Sequence, residues 1–158
     1  MTEDSISVAF VCLGNICRSP MAEAVFAHTV KQNGLQDRFA KIDSFGTGGW
    51  HKGENPDPRS AATCRKHGIP VNHRAQQIKG HHFQEFDYIV CMDEMNLRNL
   101  QRMKPSDSKA KLSMFGQWNK DGKYREIVDD PYYGGDGGFE YNFKQIQYFS
   151  EQFLEQEL

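Results

Sequence analysis

Two side chains near the start of the chain, Cys12 and Arg18, could do chemistry together. They lie in the stretch V-A-F-V-C-L-G-N-I-C-R-S-P-M-A-E, from Val8 to Glu23. A cysteine is a nucleophile only as the thiolate, and a nearby guanidinium and a helix N-terminus both favour that charge. Arginine also offers a planar fork of N–H donors that matches two oxygens of a phosphate. The residues between them fit a strand-to-helix turn. The Val- and Phe-rich run Ile6 to Val11 reads as a strand, Ser19 as a helix N-cap and Pro20 as the first helical position. Between strand and helix, Gly14 allows the backbone to curl so that successive N–H groups point inward as an anion-binding nest. The expected chemistry is a reactive Cys12 facing an oxyanion bound over the helix end.

Cys-x5-Arg-Ser is the phosphate-binding signature of cysteine-dependent phosphatases, and the fuller string C-L-G-N-I-C-R-S-P-M-A-E resembles the low-molecular-weight protein tyrosine phosphatases. That resemblance implies Cys12 as nucleophile, Arg18 as the bidentate clamp and Leu13, Gly14, Asn15, Ile16, Cys17 and Ser19 as the phosphate-binding loop. It also implies a proton donor in a D-P-Y/F-x-G loop, which D-P-Y-Y-G matches with Asp130 as the acid. Asp129 is the rival by adjacency, or a neighbouring charge that raises the acid's pKa. By residue type alone, Asp-Asp-Pro only starts a turn, Ser44 ends a strand and His73 is a surface histidine. The resemblance makes Ser44 and His73, with Asn15, supports of the loop through Ser19. Trp50, Tyr132 and Tyr133, aromatic side chains in glycine-rich loops, match the walls of the family's substrate cleft. Implied substrates are phosphotyrosine proteins or peptides and small aryl phosphates, with oxyanions such as phosphate and vanadate as inhibitors. The chemistry needs no metal and no cofactor.

The elements that must position these residues follow from pattern. Helix one runs to about Asn33, where Gly34 can end it, and residues 40 to 44 read as strand two. Phe45 to Pro56 is turn chemistry. Asp57 caps a helix with Pro58 at its first position and His67-Gly68 at its close; an irregular stretch leads to strand three, Tyr88 to Met92. Asp93 caps the next helix, with Met95, Leu97, Leu100 and Met103 apolar and Pro105 beyond its end. Ala110 to Phe115 reads as strand four, Gly116 to Glu126 as a polar stretch and Ile127 to Gly135 as a loop. Phe139, Phe143, Ile146, Phe149, Phe153 and Leu154 form one face of a final amphipathic helix. Met95, Leu100 and that stripe are expected in the core, Asp57 and Asp93 as caps without catalytic duty, and His81-His82 as polar surface. Alternating strands and helices predict an α/β fold with a parallel sheet covered on both faces. The resemblance adds the strand order 2-1-3-4, with Cys12 where that order reverses.

At 158 residues with a formal net charge of −2, the chain fits one domain, residues 1–158, with no polyanion-binding signature, so no nucleic-acid partner is expected. The apolar run after the acidic start is too short for a secretory signal or a membrane span, so a cytoplasmic protein without membrane association is expected. Cys12, Cys17, Cys64 and Cys91 are too few and scattered for a disulfide framework or a cysteine zinc site, which predicts free thiols. A loop curled around an anion would still bring Cys12 and Cys17 near enough to pair on oxidation. Three rival functions share the motif. An arsenate reductase of this fold would need relay cysteines, and the neighbours of Cys64 and Cys91 do not resemble that redox segment. A protein-arginine phosphatase carries a loop threonine where this chain has Ile16. A phosphotyrosine-binding module would have lost Cys12, Arg18 or Asp130.

Overall fold

The computed structural model describes residues 5–131 and 137–158. Strand β1 (Ile6–Cys12) is followed by helix α1 (Arg18–Gln32), β2 (Phe39–Gly46), α2 (Pro58–Lys66), a four-residue helix α3 (His82–Glu85), β3 (Tyr88–Cys91), α4 (Glu94–Met103), β4 (Lys111–Met114) and α5 (Gly137–Glu157). The strands form one parallel sheet in the order β2-β1-β3-β4. The chain therefore leaves β1 for one neighbour and later returns to its other side. A crevice opens beyond the carboxyl ends of the strands at such a reversal, and Cys12 closes β1 at that point.

Alternation along β1 divides the core. Val8, Phe10 and Cys12 face one side with Met21, Val25 and Phe26 of α1 and Ile146, Phe149 and Phe153 of α5. Ala9 and Val11 face the other with Phe45, Ile78, Phe83, Phe86 and Leu100. A parallel strand covered on both faces has no solvent side, which is why β1 reads as a continuous apolar run. The α5 stripe, Phe139 to Leu154, is buried throughout.

Some expectations are corrected here. Met95 is 56 % exposed rather than core. The capping box at the start of α4 turns Asn96 inward, where its Oδ1 accepts from the N–H groups of Met92 and Asp93, so the residue before it faces out. The irregular stretch before β3 contains α3, too short for a periodic signal. His82 there is not merely polar surface: its ring lies 4.3 Å from that of Phe45. The polar stretch after β4 hides a buried Trp118, whose Nε1 donates to Glu157 Oε2 (2.9 Å) while Tyr88 Oη donates to Glu157 Oε1 (2.7 Å). This carboxylate ties the end of α5 to β3 and to the 3-10 turn Phe115–Trp118.

Candidate active site

The segment from Cys12 to Arg18 is held by its carbonyls. Cys12 O accepts from Thr47 N–H (3.0 Å), Leu13 O from Gly48 N–H (2.9 Å) and Ile16 O from Asp57 N–H (2.6 Å). Cys17 O accepts from Ser60 Oγ (2.9 Å) and from Met21 N–H (3.3 Å). With these oxygens drawn outward, the N–H groups of Gly14 to Cys17 have no protein acceptor among the described residues. They and the first turn of α1 form a cluster of donors that suits an anion.

The local reasons differ from the sequence expectation in two places. The residue with left-handed backbone is Asn15 (φ 58), not Gly14. Asparagine tolerates that region because its short amide can bond locally. Gly14 instead supplies space, since a Cβ there would sit 2.9 Å from His51 Cδ2. Gly46, at the end of β2, allows a closer approach: a Cβ would lie 2.8 Å from Leu13 O, 3.0 Å from Gly14 C and 3.1 Å from Asn15 N. Second, α1 begins at Arg18 with Cys17 at its cap and no side-chain capping bond. Ser19 and Pro20 thus lie in the first turn, where the N–H missing from Pro20 is still one that no helical carbonyl would accept. The Ser19 hydroxyl is free for the loop interior.

That hydroxyl lies 3.1 Å from Cys12 Sγ and 3.3 Å from Phe45 O, and it accepts from Asn15 Nδ2 (2.8 Å). Asn15, 1 % exposed, is bonded at every corner. Its Nδ2 also donates to Ser44 Oγ (3.1 Å), and its Oδ1 accepts from Gln76 N–H (2.8 Å). Because a backbone N–H fixes which amide atom is the oxygen, His73 Nε2, 2.7 Å from that Oδ1, must carry a hydrogen. His73 Nδ1 then faces Glu23 Oε1 at 3.1 Å, and Ser44 Oγ donates to the same oxygen at 2.6 Å. Burial pushes the Glu23 carboxyl up to about 7 and pushes His73 down. The structure thus gathers Asn15, Ser19, Ser44 and His73 behind the loop, with Glu23 and Gln76 in the same network. Neither of the last two has a local signal in the sequence.

Arg18 is 4 % exposed and fixed on one side only. Nη1 donates to Asp93 Oδ2 (2.7 Å) and to Val128 O (2.9 Å), while Nε and Nη2 have no protein partner among the described residues. Burial works against the charge, but Cys12 and Asp93 outweigh it and raise the guanidinium's pKa. Asp93 therefore does more than cap α4. Its Oδ1 accepts from Asn96 N–H (2.8 Å), and its other oxygen orients the arginine. Asp57 does cap α2, accepting from Arg59 N–H (2.9 Å), and its own N–H holds the loop at Ile16.

A cavity of about 290 Å³ opens over the loop, lined by Cys12, Leu13, Ile16, Arg18, Trp50 and Asp130 among others. Trp50 is 71 % exposed at this cavity, and His51 shares the wall. Asp130 is in the lining, whereas the Asp129 carboxylate pairs with Arg125 at the exposed surface and its carbonyl accepts from Asn142 Nδ2. Tyr132 and Tyr133 lie outside the described residues. The four cysteines are free. Burial, then Cys12, Asp57 and Asp130, push the Cys17 thiol far up, and burial holds Cys64 and Cys91 near 12, so these three are thiols at neutral pH.

The chain matches the family model of the low molecular weight phosphotyrosine protein phosphatase over residues 7–158. It is 57 % identical to the Saccharomyces cerevisiae low molecular weight phosphotyrosine protein phosphatase, over 97 % of this chain and 96 % of that one. Among solved structures it is similar to Primo-1 (TM-score 0.90, 41 % identity, 96 % and 97 % covered). It is also similar to a Drosophila arginine phosphatase (TM-score 0.86, 36 % identity, 96 % and 98 % covered). Strand order, loop and sequence agree, and the chain belongs to the low molecular weight phosphotyrosine protein phosphatase family.

Proposed function

We propose that this chain, acting as one phosphatase domain, hydrolyses phosphotyrosine in proteins or peptides, and small aryl phosphates, through a cysteinyl-phosphate intermediate. The observation that carries this reading is Arg18 anchored through Nη1, with its Nε and Nη2 edge left without a protein partner among the described residues, in a cavity that Cys12 also lines. Two phosphate oxygens fit that edge, and the remaining charge meets the loop N–H groups. Cys12 Sγ attacks phosphorus in line and the bond to the phenolic oxygen breaks. A phenolate is a poor leaving group, so Asp130 gives its proton to that oxygen. Asp130 then takes a proton from the attacking water, the S–P bond breaks, and the electron pair returns to sulfur, where Ser19 Oγ donates a hydrogen bond.

Trp50, with Tyr132 and Tyr133, would flank the aryl ring. A slot that reaches the thiolate only along a ring's length leaves a phosphoserine too short. Phosphate and vanadate would occupy the same loop as inhibitors. Among the described residues no helix is long and apolar enough to cross a membrane, and we place the activity in the cytoplasm.

The test is release of phosphate from phosphotyrosine, phosphoarginine and phosphoserine peptides by wild type, Cys12→Ser and Arg18→Ala. Wild type should prefer phosphotyrosine, and each variant should lose nearly all turnover. Retention of a tenth of the activity, a barrier change of only about 1.4 kcal/mol, contradicts the assignment. Preference for phosphoarginine moves the substrate to the class of the Drosophila neighbour.

A further inference from the structure

We propose that Glu23, Asp43 and His73, on the side of the phosphate loop away from the substrate cavity, form a binding site for a zinc ion. The three come from separate elements, Glu23 from α1, Asp43 from β2 and His73 from the segment after α2. Each offers a ligand atom, and these atoms lie within 4.8 Å of one another. Ligands about 2.1 Å from one zinc ion are roughly 3.4 Å apart in a tetrahedron; His73 Nδ1 and Glu23 Oε1 are already 3.1 Å apart.

The orientation of the donors is set independently of any ion. His73 Nε2 is bound as a donor to Asn15 Oδ1, so the ring turns Nδ1 toward the two carboxylates. A metal-ligating histidine is normally aimed in this way, by an acceptor on its other nitrogen. Asp43 Oδ1 accepts from Ser44 N–H (2.8 Å) and Gln76 Nε2 (3.0 Å), which fixes the carboxylate and leaves Oδ2 without a protein donor among the described residues. The His73 side chain is only 7 % exposed and Glu23 21 %, so an ion here would be partly shielded from water. It would still be reachable, because a groove of about 320 Å³ between α1 and residues 69–73 has Glu23 and His73 in its wall. One imidazole with two carboxylates suits zinc over magnesium, which takes oxygen ligands and keeps its waters. The ion takes Nδ1 and the carboxylates in their unprotonated forms, and any proton they carry leaves to solvent.

Binding has a route to the loop. Glu23 Oε1 is the acceptor for the Ser44 hydroxyl, and Ser44 and His73 both hold Asn15, the residue with left-handed backbone. An ion that takes Oε1 competes with Ser44 and loosens Asn15. Zinc at this site lowers turnover without touching Cys12.

The experiment is calorimetric titration of zinc chloride into full-length protein at neutral pH. The Cys12→Ser/Cys17→Ser background removes binding by the loop thiols. One equivalent should bind, magnesium should not compete, and Glu23→Gln and Asp43→Asn should each weaken binding at least tenfold with the fold intact by circular dichroism. His81→Asn checks the exposed His81, His82 and Glu85 cluster and should change nothing. Ring-nitrogen NMR of the same background, with Glu23, Asp43 and His73 unchanged, needs no further variant: zinc should shift His73 Nδ1. No binding, binding unchanged by both carboxylate variants, loss with His81→Asn, or an unmoved His73 resonance would each overturn the site.

Discussion

In the proposed mechanism Arg18 holds a phosphate with one edge while Asp93 holds the other, and the two oxygens of Asp93 do different work. Oδ1 caps α4 and Oδ2 orients the guanidinium. Asp93→Ala removes both, and loss of the cap alone costs about 1 kcal/mol of stability. Asp93→Asn keeps an oxygen for the cap but loses the negative charge that faces Arg18. It should melt close to wild type while turnover falls at least tenfold, as thermal unfolding and steady-state kinetics would show; full activity in Asp93→Asn would mean that Arg18 positions itself. Asp130 makes a different prediction. If it protonates the leaving group, Asp130→Ala harms phosphotyrosine far more than a nitrophenyl phosphate, which departs without a proton. Equal losses on the two substrates, or a larger loss from Asp129→Ala, would move the acid elsewhere.

The loop, the helix that follows it and the strand beside it act as one assembly. β2 ends in Gly46 where the backbone of Leu13 to Asn15 crosses it, and a methyl group there would press on backbone atoms that cannot turn aside. Gly46→Ala should cost about 1–3 kcal/mol and weaken phosphate binding, which thermal unfolding with and without phosphate would register. No change in either would mean that the loop yields freely. Much at this scale was legible in the sequence. β1, the Cys12–Arg18 loop, the caps at Asp57 and Asp93 and the α5 stripe carry local signals in the form of apolar runs, N-cap residues and helical spacing. The second oxygen of Asp93, Gln76 beneath Asn15, and His51 over Gly14 act between residues far apart in the chain. Nothing in their neighbours marks them. The start of α1 departs from the local pattern because Ser-Pro is a good cap by residue type, while the tertiary structure draws the Ser19 hydroxyl toward Cys12 instead.

At the scale of the molecule, the C-terminal helix closes one face of the sheet and is fastened by Glu157. Bonds from Trp118 Nε1 and then from Tyr88 Oη hold this carboxyl below its usual range. A depressed carboxyl pKa stabilises the fold above the unfolded value of about 4.3, and the contribution disappears as pH falls through the lower folded value. Glu157→Gln should therefore lower Tm at neutral pH by roughly 2–4 °C, for about 1 kcal/mol of charge-assisted bonding. It should also flatten the acid limb of the stability profile. An unchanged acid limb would mean that the contact has no energetic weight. Trp118, the anchor of this fastening, sits in a segment that reads as polar, and its burial follows only from where α5 packs.

The claim on which the rest depends is that Cys12 becomes phosphorylated during turnover. Rapid acid quench of the enzyme with phosphotyrosine, followed by mass spectrometry of the loop peptide, measures this directly. The account predicts one phosphoryl group on Cys12 in wild type and none in Cys12→Ser, which should also have lost turnover. Phosphate on another residue, or an unlabelled loop in an enzyme that turns over, would contradict it.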